Sequence, residues 1–217
     1  MKDHFKLGVS AYYIPLHEME EEIRELDRAG ADIFHVDFFD GNFVENIGMS
    51  LQDLAFVRRC TDKPVDVHLC FNRPIRFLPM LAECGADIVH IHPDADPQPA
   101  ATLQEIRRLG MKAGIAVDPS TSMASVKALL PLTDYVLIMT VYPGFAGQSY
   151  LLYVDDKIVQ FSREQERYGY QILLDGGITA EAVKRMKLHN VGMVLGTMLF
   201  DHPRSEYARI IQELKAL

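Results

Sequence analysis

Eight apolar runs of strand length recur along the chain, each followed by a longer amphipathic or charged stretch, and this alternation restricts the fold more than any other feature. The runs cover residues 6–10, 33–38, 65–70, 88–92, 113–117, 135–140, 171–175 and 193–196. Between and after them lie helix-like segments such as HEMEEEIRELDRAG, LQDLAFVRRC, IRFLPMLAECG, ATLQEIRRLG, SMASVKALLP, VDDKIVQFSREQERYG, TAEAVKRMKLH and PRSEYARIIQELKAL, several ending on the glycine that often follows a last helical turn. Strict strand–helix alternation implies a parallel sheet, and eight repeats of the unit favour a closed (β/α)8 TIM barrel over an open doubly wound sheet. The α/β pattern runs without a linker, so one domain spanning 1–217 is expected. The Pro-rich piece at 93–99 is assigned to a strand-to-helix loop rather than a boundary.

Composition narrows the class of partner. With 48% hydrophobic and 24% charged residues the chain is globular rather than disordered or fibrous. A net charge of −8 argues against nucleic acid or an anionic membrane surface as partner, since both need clustered Lys and Arg. The N-terminus lacks the apolar core of a signal peptide, and no apolar run approaches the roughly 18 residues of a membrane span. Cys60, Cys70 and Cys84 are an odd number without metal-finger spacing, which suits a reducing compartment, and a cytoplasmic protein is expected. The acidic stretch HEMEEEIREL reads as a solvated helix face, and the methionines scattered through the helices as core filler.

In such a barrel the C-terminal ends of the strands and the loops after them build the active site. Strand residues two apart share a face, so His35 and Asp37 project together to the barrel interior while Phe34, Val36 and Phe38 face the helices. The third strand repeats this with Asp66 and His68, and the seventh ends at Asp175 before Gly176 and Gly177. Two imidazoles and two carboxylates can hold a divalent ion such as Zn, Fe, Mn or Co with positions left open for substrate oxygens. The bland alternative for each is a buried polar group satisfied by backbone bonds, and it weakens when four converge. Asp66 is assigned to orient His68 from behind. His92 is expected to line the pocket, and His90 to be structural.

A second signal lies in VYPGFAGQSY, where Gly144 and Gly147 let backbone amides approach an anion closely. Gly176–Gly177 after the seventh strand and Gly196–Thr197 after the eighth add two more such loops, a combination that favours a phosphate over a ligand-free turn.

The stretches HVDFFDGNFVENI, PVDVHL, MTVYPGFAGQSY and LLDGGIT together resemble, in order and spacing, the motifs of the ribulose-phosphate 3-epimerase family. The resemblance spans nearly the whole chain. It implies that His35, Asp37, His68 and Asp175 bind one divalent metal, and that Asp37 and Asp175 are the catalytic acid/base pair. It implies further that Ser10, His68, Met139, Gly144, Phe145, Ala146, Gly147, Gly176, Gly177, Gly196 and Thr197 contact a phosphorylated ketose, and that the chain self-associates as a dimer or hexamer. Two carboxylates suffice to invert a carbon beside a ketone, one removing a proton and the other returning one. The metal would stabilise the intervening enediolate. D-ribulose 5-phosphate, interconverted with D-xylulose 5-phosphate, is the leading substrate.

Departures from the family pattern cluster near the reacting carbons. Phe39 and Cys70 stand where the family keeps methionines, and Tyr142 where it keeps Asn or Asp, so these three are taken as pocket-shaping. Glu45 replaces a proline, Gly48-Met49-Ser50 an apolar segment, Tyr12-Tyr13 an Asp-Phe pair, and Asp118 an Asn before Pro119. No metal ligand or acid/base carboxylate is lost. MTVYPGFAGQ and IRRLGMKAGIAVDPSTS lie closer to the allulose 6-phosphate branch, which keeps that hexulose phosphate as an alternative substrate. A non-catalytic phosphosugar-binding barrel is a further alternative. Decarboxylation of a sugar acid on a related barrel is disfavoured because DVHLCF lacks the required lysine.

Overall fold

A computed structural model describes residues 5–217. Eight strands form a closed barrel: β1 (Leu7–Ser10), β2 (Ile33–Phe39), β3 (Val65–Cys70), β4 (Ile88–Ile91), β5 (Lys112–Val117), β6 (Tyr135–Met139), β7 (Gln171–Asp175) and β8 (Gly192–Leu195). Every neighbouring pair is parallel, and β1 closes the ring by pairing with β8. The expected (β/α)8 barrel is therefore what forms, with strand ends within one residue of those read from the sequence.

The two faces of each strand bury different surroundings. Phe34, Val36, Phe38, Val67 and Leu69 join the large cluster between the sheet and the surrounding helices. Ile33, Ile88, Ala116, Tyr135, Leu137, Met139, Val141 and Leu173 form a second cluster. In β2 this second set alternates with the first, so it fills the barrel interior, as a period of two requires. His35, Asp66, His68 and His90 are all buried to 1% exposure or less, in line with the same inward-facing positions.

Helices begin where the local chemistry favours them. Ser50 and Asp53 form a reciprocal capping box at the start of the helix Leu51–Cys60, satisfying two amides that the first turn leaves open. Gly30 ends the helix Met19–Ala29 in the left-handed region, at φ 98°. Long segments read from sequence are divided, and a turn not read from it follows β8. The stretch after β5 splits into a helical turn and a 3-10 helix containing Pro131, the stretch after β6 divides into Asp155–Ser162 and Gln165–Tyr168, and a one-turn helix, Thr197–Phe200, follows β8. The acidic first helix is more than a solvated face. Arg204 reaches Glu18 at 3.0 Å and Glu21 at 2.7 Å, and Tyr207 donates to the buried Glu22 at 2.6 Å, tying the last helix, Tyr207–Ala216, to the first. No helix among the described residues is long and apolar enough to cross a membrane.

Candidate active site

Register brings the polar strand residues together. Along β2 and β3, His35 stands opposite Asp66, Asp37 opposite His68 and Phe39 opposite Cys70. Asp37 accepts a hydrogen bond from Ser10 Oγ at 3.0 Å and lies 3.1 Å from His68 Nδ1 and 3.3 Å from His35 Nε2. Asp175, at the end of β7, places Oδ2 3.9 Å from the same two ring nitrogens. One donor atom from each of His35, Asp37, His68 and Asp175 lies within 4.8 Å of all the others.

This set fits a divalent transition ion. His35 Nε2 is fully buried yet has no aligned hydrogen bond, an arrangement that is costly unless another group satisfies it. Two imidazole nitrogens and two carboxylate oxygens around one point are the donors such an ion takes.

The two carboxylates differ in environment. Burial would raise Asp37, but His35 and His68 beside it hold its carboxyl well below the usual range. Burial pushes Asp175 up to about 6, and the nearby Asp37 charge adds to the rise against the opposing pull of His35. His35 is itself held well above the ordinary imidazole range, because Asp37 and Asp66 outweigh the effect of burial.

Each imidazole of the pair is supported from behind, though not as the sequence suggests. Asp66 does not support His68. It accepts from His35 Nδ1 at 3.0 Å through one oxygen and meets His90 Nε2 at 3.0 Å with the other, because the register sets it one rung below His68. His68 instead turns Nε2 towards His92 Nε2 at 2.7 Å, and His92 Nδ1 lies 3.1 Å from Asp118 Oδ1. His92 therefore stands behind His68, packed on Phe43 with ring centroids 4.7 Å apart, and does not line the cleft. Burial holds His92 below the ordinary imidazole range.

A cleft opens above these groups at the C-terminal ends of the strands. Ser10, Asp37, Phe39, His68, Met139, Tyr142, Gly144, Phe145, Ala146, Gly147, Asp175, Gly176, Gly177, Gly196 and Thr197 all line it. Of the residues singled out from sequence, His35 lies beneath the floor and Cys70 behind the wall. The short Cys70 side chain does not reach the cleft. It packs against Phe39 and Val44, with its thiol 3.3 Å from His68 Nε2, and burial keeps that thiol protonated far above its ordinary range. Gly176 and Gly177 adopt φ of 114° and 60°, where a side chain is strained, and a Cβ on Gly177 would come within 2.5 Å of the Tyr150 amide.

Sequence reasoning left three contributors outside the site. Tyr13 lines the cleft, accepts a hydrogen bond from the Gly147 amide at 3.3 Å, stacks on Phe200, and presses so close to Gly196 that a Cβ there would meet its ring at 2.6 Å. Asn46 donates to the Gly144 carbonyl at 2.6 Å and so ties the glycine-rich loop to the loop after β2. The third is Asp118. The departure of the Tyr pair and of Asp118 from the family pattern is the sequence signal for two of these three, and Asn46 carries none.

Comparison with known proteins agrees with the geometry. A model of the ribulose-phosphate 3-epimerase family matches residues 7–200. The chain belongs to this family. It is 39% identical over 163 residues to a ribulose-phosphate 3-epimerase of Bacillus subtilis, covering 74% of this chain and 75% of the relative. A Synechocystis ribulose-phosphate 3-epimerase is 38% identical over 196 residues, covering 88% and 84%. Among solved structures, a tryptophan synthase α-subunit from Pyrococcus furiosus superposes with a TM-score of 0.72 at 15% identity, over 100% of this chain and 99% of that one. That likeness speaks for the barrel alone.

Proposed function

We propose that this family member inverts carbon 3 of a ketose phosphate, interconverting D-ribulose 5-phosphate and D-xylulose 5-phosphate, with His35, Asp37, His68 and Asp175 holding one divalent ion. The observation that carries the reading is the convergence of these four donors together with the split between their carboxylates: one held low, the other raised to about 6. Two titratable groups pushed apart by their surroundings mark an acid and a base.

Asp37, ionised and oriented by Ser10, takes the proton from carbon 3 in one direction, and protonated Asp175 returns one to the other face. In the reverse direction they exchange roles. A bound ion supplies Lewis-acid stabilisation of the negative charge that develops on the substrate oxygens, worth several kcal/mol. Phe39, with Tyr12 tilted against it at 5.7 Å, and Met139 give the cleft an apolar wall that limits water around the planar intermediate. The phosphate lies among Gly144–Gly147, Gly176–Gly177 and Gly196–Thr197, held by backbone amides rather than by lysine or arginine. In solution the chain associates with copies of itself.

The test is hydrogen exchange. Metal-loaded protein in deuterated water should place deuterium at carbon 3 of ribulose 5-phosphate and form xylulose 5-phosphate, with unphosphorylated ribulose a far weaker substrate. Exchange confined to allulose 6-phosphate would move the substrate to the hexulose branch. Binding of both ketose phosphates without exchange of either would refute the epimerase reading.

A further inference from the structure

Two side chains outside the four-donor set, His92 and Asp118, extend a polar path from His68 to the rim of the barrel. His68 follows the interior of β3, His92 lies just past the end of β4, and Asp118 just past the end of β5. The two ring Nε2 atoms are 2.7 Å apart while the ring centroids are 5.0 Å apart, so the nitrogens meet head-on along the line between the rings. Cys70 Sγ flanks this contact at 3.3 and 3.4 Å from the two nitrogens. These three residues could suggest an ion between them. An ion bound to both nitrogens would need about 2.0–2.1 Å on each side, and a head-on gap of 2.7 Å leaves no room for it. The contact is a hydrogen bond with one proton in it.

The position of that proton follows from the rest of the path. His68 Nδ1 faces Asp37 and Asp175, and an imidazole bound to an ion through Nδ1 must carry its proton on Nε2. His92 Nε2 must then be bare, and its proton must be on Nδ1, which lies 3.1 Å from Asp118 Oδ1, close enough for the carboxylate charge to favour a proton there although the two are not aligned as a hydrogen bond. A carboxylate can only accept, whereas the asparagine usual in the family could equally donate its amide and reverse both tautomers. Asp118 is held in place by its backbone: its carbonyl accepts from Lys157 Nζ at 2.6 Å and from the Thr121 amide at 3.0 Å.

We propose that Asp118 is a positioning residue for the metal ligand His68, acting through His92 to fix the His68 proton on Nε2 and leave Nδ1 bare towards Asp37 and Asp175. The inference rests on the metal-site reading above. It makes the two ligand imidazoles alike in kind and different in length of support: His35 is backed directly by Asp66, and His68 by a second imidazole and then a carboxylate. Outer groups of this sort typically change metal affinity by 10–100-fold when removed.

The test uses the full chain as wild type, Asp118→Ala and Asp118→Asn. Zinc affinity is measured by competition with a chelating dye, and imidazole tautomers are read from long-range proton–nitrogen NMR spectra of the zinc-loaded protein. Asp118→Ala should weaken zinc binding about 10–100-fold and lose the single His92 tautomer, while Asp118→Asn, which keeps an acceptor oxygen, should lose less. The melting temperature of the metal-free proteins checks that each variant folds. Wild-type spectra bear on the idea even if Asp118→Ala fails to fold: a His92 proton on Nε2 overturns it. Zinc affinity of a folded Asp118→Ala within twofold of wild type also overturns it, while leaving the epimerase reading intact. Failure of wild type to bind zinc, cobalt or manganese or to exchange carbon 3 would remove the metal-site reading and this inference with it.

Discussion

Replacing Asp175 with asparagine should make the metal-free protein more stable while destroying its turnover. Asp175 is mostly buried, with 17% of its side chain exposed, and burial raises its carboxyl from 3.8 to about 6. A group whose folded value is raised binds its proton more tightly when folded. The fold therefore bears no cost from it below about pH 4, an increasing cost between pH 4 and 6, and the full cost above. At 1.36 kcal/mol per unit, a shift of about two units amounts to about 3 kcal/mol at pH 8. Asparagine has nearly the same shape and no charge, so it removes this cost. For a chain of this size about 1 kcal/mol moves the melting temperature by about 2–4 °C, which predicts a rise of about 6–12 °C for metal-free Asp175→Asn at pH 8 and little change at pH 4.

Turnover should fall by about 10²–10⁴-fold, the range for losing a positioned acid or base. If the four proposed donors hold zinc, it should reverse the stability order, because the variant would offer three carboxylate or imidazole donors and a weaker amide. The assays are calorimetric melts with and without zinc at pH 4 and 8, alongside carbon 3 exchange. A metal-free Asp175→Asn that melts below wild type at pH 8 would refute the argument from burial, and retained turnover would refute the two-carboxylate mechanism.

Tyr13→Phe removes the phenol that accepts from the Gly147 amide in the cleft. If that hydroxyl donates to the substrate phosphate, KM should rise about tenfold, the scale of a hydrogen bond to a charged group, with kcat within twofold; an unchanged KM would show that the phenol does not meet the phosphate. Gly114→Ala should destabilise by about 1–3 kcal/mol, the usual range for overpacking, because the new Cβ would fall 2.3 Å from His90 Nδ1. The cost should largely vanish in a His90→Ala background, and its persistence there would place the strain elsewhere. The melting-temperature increase produced by zinc should grow from pH 5 to pH 8. His35 is held above the ordinary imidazole range by Asp37 and Asp66, and the ion must displace that proton. An increase independent of pH would show that His35 Nε2 is not a ligand.

The barrel was legible because its signal is repeated: eight alternations of strand and helix leave few ways to bury both faces of every strand. His35, Asp37, His68 and Asp175 were legible for a related reason, since a period of two puts each on the inner face. What a period cannot give is register. Asp66 shares a face with His68, yet the register sets it opposite His35, and its partners are His35 and His90. The Asp118–His92 link was out of reach because it joins loops after two different strands, and no local pattern encodes how those loops meet. Cys70 faces inward as its position suggests, but its side chain is too short to reach the cleft past Phe39. The turn Thr197–Phe200 is too short to show a helical period.

Register also explains why two chemically identical carboxylates in one cleft are unlike. The cross-strand partner of Asp37 is His68, and Ser10 on the neighbouring strand supplies a hydroxyl donor to its other oxygen. The polar groups around Asp37 favour its anion and outweigh the effect of burial. The cross-strand partners of Asp175 are Met139 on one side and Val194 on the other, both buried and both unable to donate. Its nearest imidazole nitrogens are 3.9 Å away, too far for a hydrogen bond. An aspartate between two apolar neighbours pays the cost of desolvation without the bonds that offset it, so its proton is retained to higher pH. The acid and base of the proposed reaction are thus distinguished by which residue each strand sets beside them. Exchanging Met139 for a hydrogen-bond donor would erode that distinction without touching either carboxylate.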